Sequence, residues 1–288
     1  MNIIVVIVTY NPNISQLKAC VASLLPQVEK IIIVKNSDER LDAADFQNEK
    51  IVQVQLDGNY GIAYAQNKGV EKAKELNAEL LLFSDQDTIY PNNFSVSIKE
   101  KIKEYPSKII YAPVFYNITK QQIEPLSINM NEISIPKDEK YISVFHAISS
   151  GTVIFFKDFE EIGNYNEDLF IDYVDFEWCW KARSKGYKIF CFPDIKIDQN
   201  LGENYKIIFG KKITIRSNFR YYYMIRNGLI LSKISKYLTY REKKQLRKRS
   251  IIMVIGILIL NCHILNNMKT IIKAFVDYKR YIKINYNN

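Results

Sequence analysis

The sequence contains few histidines and cysteines, and their spacing argues against several kinds of site. Its 288 residues include two histidines, His146 and His263, and neither has a partner at the spacing of metal ligands. The sequence therefore gives no support to a histidine-based zinc site or a Ser-His-Asp triad. No C-x-x-C pair occurs among the four cysteines, which are Cys20, Cys179, Cys191 and Cys262. We predict that they are reduced and mostly buried thiols.

Two nucleotide-binding motifs and a membrane-spanning run are also missing. Neither G-x-G-x-x-G nor G-x-x-x-x-G-K-[ST] occurs, which argues against a dinucleotide-dependent oxidoreductase and a P-loop NTPase. The apolar run from Ile251 to Leu265 contains Asn261 and His263 and is shorter than the roughly 20 apolar residues that cross a bilayer. The N-terminus lacks the basic region and cleavage site of a signal peptide, so we expect none.

Acidic residues are scarce in the last part of the chain. Residues 1–204 hold 21 Lys/Arg and 29 Asp/Glu, a net charge of −8. Residues 205–288 hold 19 Lys/Arg and two acids, Glu242 and Asp277, a net charge of +17. A basic segment favours anionic lipid or nucleic acid, and the many apolar residues here favour lipid, since no nucleic-acid motif occurs. We expect one domain over residues 1–204 and a basic helical region over 205–288.

The hydrophobic pattern predicts a doubly wound α/β fold. Continuous apolar runs at 3–8, 31–34, 51–56 and 80–83 are typical of buried parallel strands, and helical spacing occurs at 15–25 and 62–76. In this β-α-β-β-α-β order, the first two strands should be neighbours. Weaker signals predict a strand at 109–115, a loop or hairpin at 117–140 and an edge strand at 186–193. The small-residue turn Ser149-Ser150-Gly151 either lets the backbone approach a bound sugar or is a simple bulge.

Two carboxylates follow the buried run Leu80–Phe83, at Asp85 and Asp87. Open α/β sheets hold ligands at the carboxyl ends of their strands. If this stretch stays extended, both carboxylates point to the same side. Mg²⁺ takes one or two carboxylates together with substrate phosphates, so we interpret the pair as the anchor of a metal–diphosphate group. The alternative is a polar turn in which Asp87 is a helix N-cap.

A second acidic group lies at the start of a predicted helix and comprises Asp172, Asp175 and Glu177, next to Trp178. A carboxylate beside a partly dry pocket can serve as a general base toward a hydroxyl, and aromatic faces suit sugar rings. The alternative is capping of the helix N-terminus, which competes strongly for Glu177 and is the main reading for Asp172.

The C-terminal region combines basic and apolar segments. Arg220 and Arg226 occur at helical spacing among tyrosines, and each is a candidate for contact with an anionic group or for a solvated helix face. The basic run 241–249 precedes the apolar run 251–260. This order predicts a helix that lies on a membrane surface. The alternative is a helix that packs on the rest of the chain or on a second subunit.

Together these motifs resemble family 2 glycosyltransferases with a GT-A fold, in particular the bacterial L-rhamnosyltransferases. The resemblance covers about residues 2–230, and its most specific part is G-I-A-x-A-Q-N combined with D-Q-D. The matching segments are Val8–Pro12, Val34–Ser37, Asn59–Gly69, Phe83–Asp87, Ser149–Gly151, Asp172–Arg183 and Arg220–Asn227.

The resemblance implies a GT-A fold (a Rossmann-like, doubly wound mixed sheet) with a C-terminal helical, basic extension. It implies inverting transfer of a sugar from a nucleotide-sugar donor, dTDP-L-rhamnose, to a hydroxyl of a saccharide or polyprenyl-diphosphate-linked acceptor. It implies Mg²⁺ or Mn²⁺ on Asp87, with Asp175 as the catalytic base. Donor contacts are expected at Thr9, Tyr10, Asn11, Asn36, Asn67 and Asp85. Acceptor or secondary contacts are expected at Asp172, Glu177, Trp178 and Arg226.

The implied setting is the synthesis of bacterial surface polysaccharide at the cytoplasmic face of the cell membrane. Peripheral membrane contact and a homodimer are compatible with it, and nucleic acid is not expected. Two residues depart from the family pattern: Lys35 replaces the usual Asp, and Val174 stands where Glu is frequent, so Asp172 or Glu177 could share the role of base. The alternatives are a UDP-hexose or UDP-galactofuranose donor and a non-catalytic binding or scaffold protein on the same fold.

Overall fold

The structure is a computed structural model that describes residues 1–38, 43–118, 121–128, 131–133, 139–199, 205–208, 211–260 and 264–286. The chain divides into two compact units. The first unit contains Met1–Asp168 and Val174–Leu201, and the second contains Leu169–Tyr173 and Gly202–Asn288.

The secondary structure alternates strands and helices in the first half and ends in three helices. The strands are β1 (Ile3–Thr9), β2 (Lys30–Lys35), β3 (Ile51–Gln55), β4 (Leu80–Ser84), β5 (Thr88–Ile89), β6 (Ile109–Asn117), β7 (Gln122–Ile123), β8 (Leu126–Ile128), β9 (Asn131–Ile133), β10 (Ile142–Val144), β11 (Val153–Phe155), β12 (Lys188–Gln199), β13 (Tyr205–Ile208) and β14 (Lys211–Thr214). The helices are α1 (Ile14–Leu24), α2 (Ile62–Glu75), α3 (Phe94–Glu104), α4 (Phe156–Ile162), α5 (Val174–Ser184), α6 (Asn218–Ile234), α7 (Tyr240–Leu260) and α8 (Ile264–Tyr286).

A mixed sheet forms the centre of the first unit, with strand order β10-β12-β6-β11-β4-β1-β2-β3. The strands β4, β1, β2 and β3 run parallel, and β11 is antiparallel to both β4 and β6. This arrangement confirms the predicted α/β fold with a doubly wound mixed sheet. The predicted pairing of β1 with β2 is also confirmed.

The central strands are continuous apolar runs because both faces of the sheet are covered. Every residue of β4 is buried, as are Ile3–Ile7 of β1. On one face, α2 approaches the sheet through Gly69. A Cβ atom at this glycine would lie 2.2 Å from Val6 Cγ1 and 3.2 Å from Val34 Cγ2. The glycine of the G-I-A-x-A-Q-N-x-G segment therefore allows close packing of α2 on β1 and β2.

Two expectations about strands are wrong. The segment predicted as an edge strand extends to Gln199 as β12 and lies between β10 and β6, because the short strand β10 pairs with it, Ile142 opposite Cys191. The stretch after β4 does not stay extended, since Gln86 and Asp87 form a turn that leads into β5. The prediction that both carboxylates point to the same side assumed an extended stretch, so it does not apply. Asp87 is not a helix N-cap either, because the next helix begins at Phe94.

The second unit has a small helical core. Its buried residues come from α6, α7 and α8, and they are Tyr221, Ile225, Leu229, Ile257, Ile271 and Ala274. The basic run and the apolar run predicted at 241–260 form one continuous helix, α7. None of the helices in the described ranges combines the length and hydropathy that a bilayer-crossing segment needs. His263 lies outside the described residues.

The cysteines that the structure describes are Cys20, Cys179 and Cys191. All three are free thiols and buried, which confirms the prediction made for them. Cys262 lies outside the described residues.

Candidate active site

Three loops meet at one edge of the sheet. Because β1, β2 and β4 are parallel, their carboxyl ends lie side by side, with Thr9 opposite Lys35 and Ile7 opposite Ser84. The loop after β1 and the turn after β4 are joined directly. The Tyr10 backbone N–H donates to Gln86 Oε1 at 3.0 Å, and Gln86 Nε2 donates to the Tyr10 carbonyl at 3.5 Å.

The turn that carries Asp85 and Asp87 is fixed by the segment 149–152, which enters the sheet at the start of β11. The Asp85 N–H donates to Ser150 Oγ at 3.0 Å, and the hydroxyls of Ser150 and Thr88 lie 2.9 Å apart. The Gly151 N–H donates to the Phe83 carbonyl at 2.7 Å. The small-residue turn identified in the sequence therefore holds the acidic turn in place.

Gly151 has a backbone conformation that a larger residue would not tolerate. Its φ is +74°, and an added Cβ would lie 2.5 Å from Pro113 Cγ and 2.7 Å from Ile197 Cδ1. We expect Gly151→Ala to lower the free energy of unfolding in urea by roughly 2–5 kcal/mol, from backbone strain and overpacking together. Gly186→Ala is the matched control, because its φ is +86° but nothing lies within 4 Å. It should lose only about 1–2 kcal/mol. Equal losses of stability in the two variants would contradict a steric clash at Gly151.

Asp85 and Asp87 differ in their surroundings. Asp85 Oδ2 accepts from Gln199 Nε2 at 2.7 Å, which ties it to the end of β12. Asp87 is half-buried, and within the described part of the chain it forms no salt bridge or hydrogen bond with another side chain. Burial raises the pKa of the Asp87 carboxyl, because removing a carboxylate from water disfavours its charged form. A half-buried carboxylate without a counter-charge suits a divalent cation.

The described carboxylates are also candidate metal ligands. Among the described residues, no group of three or more His, Cys, Asp or Glu side chains could hold a metal ion by itself. This fits an ion of the Mg²⁺ type, which uses one or two carboxylates and completes its coordination with water and substrate phosphates. Asp87 is the side chain that would hold such an ion, with Asp85 beside it.

The residues predicted to bind the donor fall into two groups. Tyr10 and Asn11 are exposed at the edge of the sheet, where a ligand can reach them. Thr9 and Asn36 are buried, and their side chains bond within the protein. Thr9 Oγ1 donates to the Val34 carbonyl at 3.4 Å, and Asn36 Oδ1 accepts from the Tyr60 N–H at 2.8 Å. These two residues therefore hold the backbone at the ends of β1 and β2 in place.

Asn67 was expected to contact the donor, but its amide is used inside the protein. The side chain is 2% exposed. Its Nδ2 donates to the Tyr165 carbonyl at 3.1 Å and to Glu167 Oε1 at 2.7 Å, and its Oδ1 accepts from the Tyr165 N–H at 2.9 Å. The structure therefore gives Asn67 a positioning role for residues 165–167, because its side chain is buried and its amide N–H groups donate within the protein.

Asp175 lies in the first turn of α5 and is half-buried. Its Oδ1 accepts from the Phe176 N–H at 2.9 Å. The Phe176 ring stacks on His146 with centroids 3.7 Å apart. The segment 146–150 therefore contacts the start of α5 at one end and the Asp85 turn, through Ser150, at the other. One short segment thus links the start of α5 to the turn that carries Asp85.

Two further predicted site residues on α5, Glu177 and Trp178, are buried. Trp178 is 2% exposed, its Nε1 donates to the Gly163 carbonyl at 2.8 Å, and its ring stacks on Phe159. The Trp178 ring, expected as an acceptor or secondary contact, is therefore packed inside the protein, because this face of α5 packs against the rest of its unit. Glu177 is 6% exposed, and its Oε2 has no hydrogen-bond partner among the described residues.

The burial of Glu177 predicts a pH-dependent stability. Desolvation raises its pKa from 4.5 to about 7, and Lys181 only partly offsets this. Because the folded-state pKa is raised, the contribution to stability is full below about pH 4.5 and is lost as pH rises through about 7. We expect urea unfolding of the wild type, relative to Glu177→Gln, to lose stability over this window. The matched control is the exposed substitution Glu100→Gln, for which the difference from the wild type should not change over this pH window. If the difference in unfolding free energy between the wild type and Glu177→Gln were constant with pH, the raised pKa of Glu177 would be contradicted.

Asp172 and Arg226 belong to the second unit. Asp172 pairs with Arg220, whose Nε and Nη2 both donate to its carboxylate. The Asn227 amide nitrogen donates to the carbonyls of Leu169, Ile171 and Asp172 at 2.8, 2.9 and 3.1 Å. The Arg226 guanidinium lies over two tyrosine rings. Asp172 therefore has an ion-pair partner, and the R-Y-Y-Y-M-I-R-N segment holds the 169–173 loop through Arg220 and Asn227.

Comparison with known proteins identifies the relatives of this chain. The family profile described as glycosyl transferase family 2 matches residues 4–163. The chain is 35% identical over 238 residues to the dTDP-rhamnosyl transferase RfbF of Shigella flexneri, a match that covers 80% of this chain and 79% of that protein.

Two solved structures share the fold. GalNAc-T7, crystallised with UDP, GalNAc and Mn²⁺, matches with a TM-score of 0.60 and 15% identity over 87% of this chain and 54% of that chain. TarS of S. aureus matches with a TM-score of 0.61 and 16% identity over 98% of this chain and 49% of that chain. The chain thus spans about half the length of these two structures.

Proposed function

Because the chain belongs to glycosyltransferase family 2, we propose that it is a metal-dependent, inverting enzyme that transfers L-rhamnose from dTDP-L-rhamnose to a hydroxyl group. Family membership and the fold make it a nucleotide-sugar glycosyltransferase with a GT-A fold. The metal, the stereochemistry, the donor sugar and the acceptor are parts of the proposal.

The observation that carries the proposal is the pair of carboxylates on the fixed turn after β4. Asp87 is half-buried and meets no counter-charge in the part of the chain that the structure describes, and Asp85 is oriented by Gln199. A bound Mg²⁺ or Mn²⁺ would stabilise the negative charge that develops on the leaving diphosphate. Asp87 holds the ion in this proposal. Tyr10 and Asn11 contact the nucleotide from the neighbouring loop.

Asp175 is proposed as the base. It takes the proton from the acceptor hydroxyl, whose oxygen attacks the anomeric carbon as the bond to the diphosphate breaks. A positioned base of this kind contributes about 10²- to 10⁴-fold to the rate. The contact of His146 with Phe176 supports the assignment, because it connects the start of α5 to the segment that holds the Asp85 turn.

The donor assignment draws on the relative named dTDP-rhamnosyl transferase. We further propose a saccharide or polyprenyl-diphosphate-linked acceptor, action at the cytoplasmic face of the membrane, and a catalytic domain over residues 1–204 with the basic helices as an extension. Lys35, one of the two departures from the family pattern, is buried at the end of β2.

The test is a donor panel. The protein is incubated with dTDP-L-rhamnose, UDP-glucose, UDP-galactofuranose and UDP-GlcNAc, each with Mn²⁺ or EDTA, and the released nucleoside diphosphate is measured. The proposal predicts release from dTDP-L-rhamnose with Mn²⁺ and a thermal shift with dTDP that exceeds the shift with UDP. Release from a UDP sugar alone would assign another donor. No release and no metal-stimulated nucleotide binding would indicate a binding protein.

Gln199 offers a narrower test of the metal site. Its Oε1 is buried without a hydrogen-bond partner among the described residues, so Gln199→Leu removes one unsatisfied polar atom, which offsets part of the cost of the lost Gln199–Asp85 hydrogen bond. The net change in the free energy of unfolding should be at most about 1 kcal/mol. The same change removes the hydrogen bond that orients Asp85. Loss of such an outer-shell partner is expected to weaken Mn²⁺ binding in the presence of dTDP by about tenfold, measured by calorimetry. An unchanged Mn²⁺ affinity would contradict the proposal that Gln199 supports the metal site through Asp85.

A further inference from the structure

The second unit exposes an apolar stripe on its last helix. On α8, Leu265, Met268, Ile272 and Val276 follow one another at intervals of three, four and four residues, which places them on one face. Leu265 is 73% exposed and Ile272 is 59% exposed. The buried side of α8 is different, because Asn267, Ile271 and Ala274 face the core of the unit. These four exposed residues are called the α8 stripe.

Cations border the α8 stripe. Lys269 and Lys273 each follow a stripe residue by one position, and both are exposed. One position corresponds to about 100° around a helix, so the lysines form an edge next to the stripe. An apolar face flanked by lysines is the pattern of helices that lie in the headgroup region of a bilayer.

The preceding helix, α7, also carries lysines and exposed apolar residues on one face. On the exposed face of α7, Lys244 and Lys248 come first, and Ile251, Ile252 and Ile255 follow. The opposite side, with Leu246, Ser250 and Ile257, is buried. Cations and exposed apolar groups therefore occur together on both helices.

The acids of this region do not offset the charge. Asp277 accepts from the Tyr222 hydroxyl at 2.7 Å, and Glu242 bonds to Thr239 at the start of α7. Residues 205–288 carry 19 Lys/Arg against these two acids. A second copy of the chain would bring like charges together at this surface, which disfavours a dimer here. An anionic bilayer can accept the apolar side chains in its acyl-chain region and the lysines at its negatively charged headgroups.

We propose that the α8 stripe and the exposed isoleucines of α7 dock on the surface of an anionic lipid bilayer, with the neighbouring lysines at the phosphate level. The inference uses the second unit alone and does not depend on the identity of the donor or the acceptor.

The test is sedimentation of the full-length protein with vesicles of phosphatidylcholine alone and of phosphatidylcholine with phosphatidylglycerol at about 7:3. Binding is expected only to the anionic vesicles and should weaken as salt rises, because exposed charges are screened over about 8–10 Å. Leu265→Ser combined with Ile272→Ser is expected to reduce partitioning by at least about tenfold. Lys269→Gln combined with Lys273→Gln is the second variant, which leaves the apolar surface intact.

The matched control is Val96→Ser on α3, which removes a 57% exposed apolar side chain from the first unit and should leave vesicle binding unchanged. Circular dichroism and urea unfolding verify that each variant is folded. Equal binding to both vesicle types, or none to either, would overturn the proposal. A dimer in lipid-free solution that the Leu265/Ile272 variant converts to a monomer would also overturn it, because the stripe would then be an interface between copies.

Discussion

Asp175→Asn is expected to lower kcat by about 10²- to 10⁴-fold while donor binding stays unchanged. An amide cannot take up the proton of the acceptor hydroxyl, but it has the size of the carboxylate. Its oxygen can still accept from the Phe176 N–H, so the start of α5 should keep its structure. The measurement is turnover with a saccharide acceptor, together with the dissociation constant of dTDP in the presence of Mn²⁺.

The matched control for this change is Glu100→Gln, which makes the same chemical replacement at an exposed position of α3. It should retain full turnover. If Asp175→Asn also retained full turnover, the base would have to be another carboxylate, and Asp172→Asn would be the next variant to measure. A weaker dTDP affinity in Asp175→Asn would indicate a role in binding the donor.

Asp87→Asn is expected to abolish the stimulation of donor binding and turnover by Mn²⁺. Loss of the charged ligand removes several kcal/mol of stabilisation of the leaving diphosphate, which is roughly a hundredfold or more in rate. The stability of the fold should move in the opposite direction. Because Asp87 is half-buried and has no counter-charge among the described residues, removing its charge is expected to raise the free energy of unfolding.

These opposite effects separate a functional role from a structural one. The measurements are calorimetry of dTDP with Mn²⁺ or EDTA, and urea unfolding of the metal-free protein. A variant that lost both activity and stability would indicate that Asp87 mainly supports the turn. A variant that kept its response to Mn²⁺ would place the ion elsewhere.

The strands that could be predicted are those whose own residues determine their environment. β1, β2 and β4 are continuous β-branched or leucine runs, and only a sheet covered on both faces buries such runs completely. The position of β12 could not be predicted in this way. It is interior because Ile142–Val144, three residues from a distant part of the chain, pair with it. No feature of β12 itself indicates that partner.

The candidate site shows the same division. The spacing of Asp85 and Asp87 after an apolar strand placed them at the edge of the sheet, and the structure has them there. The face of α5 could not be predicted, because apolar and aromatic residues occur all around it, so Trp178 and Glu177 gave no sign that they are buried. Gln199 was missed for a different reason. A glutamine at the end of a strand has no local signal, and its contact with Asp85 joins residues far apart in sequence.

The chain that follows β4 has a consequence for how the donor is bound. In many α/β folds a diphosphate rests against the first backbone N–H groups of the helix that follows the strand, and the dipole of that helix balances part of its charge. Here a turn and β5 come after β4, and α3 begins at Phe94. In the proposed mechanism, the neutralising charge at this strand would be a divalent cation recruited from solution. Donor affinity would then rise and fall with the free divalent-cation concentration, and the supply of that ion would control the enzyme.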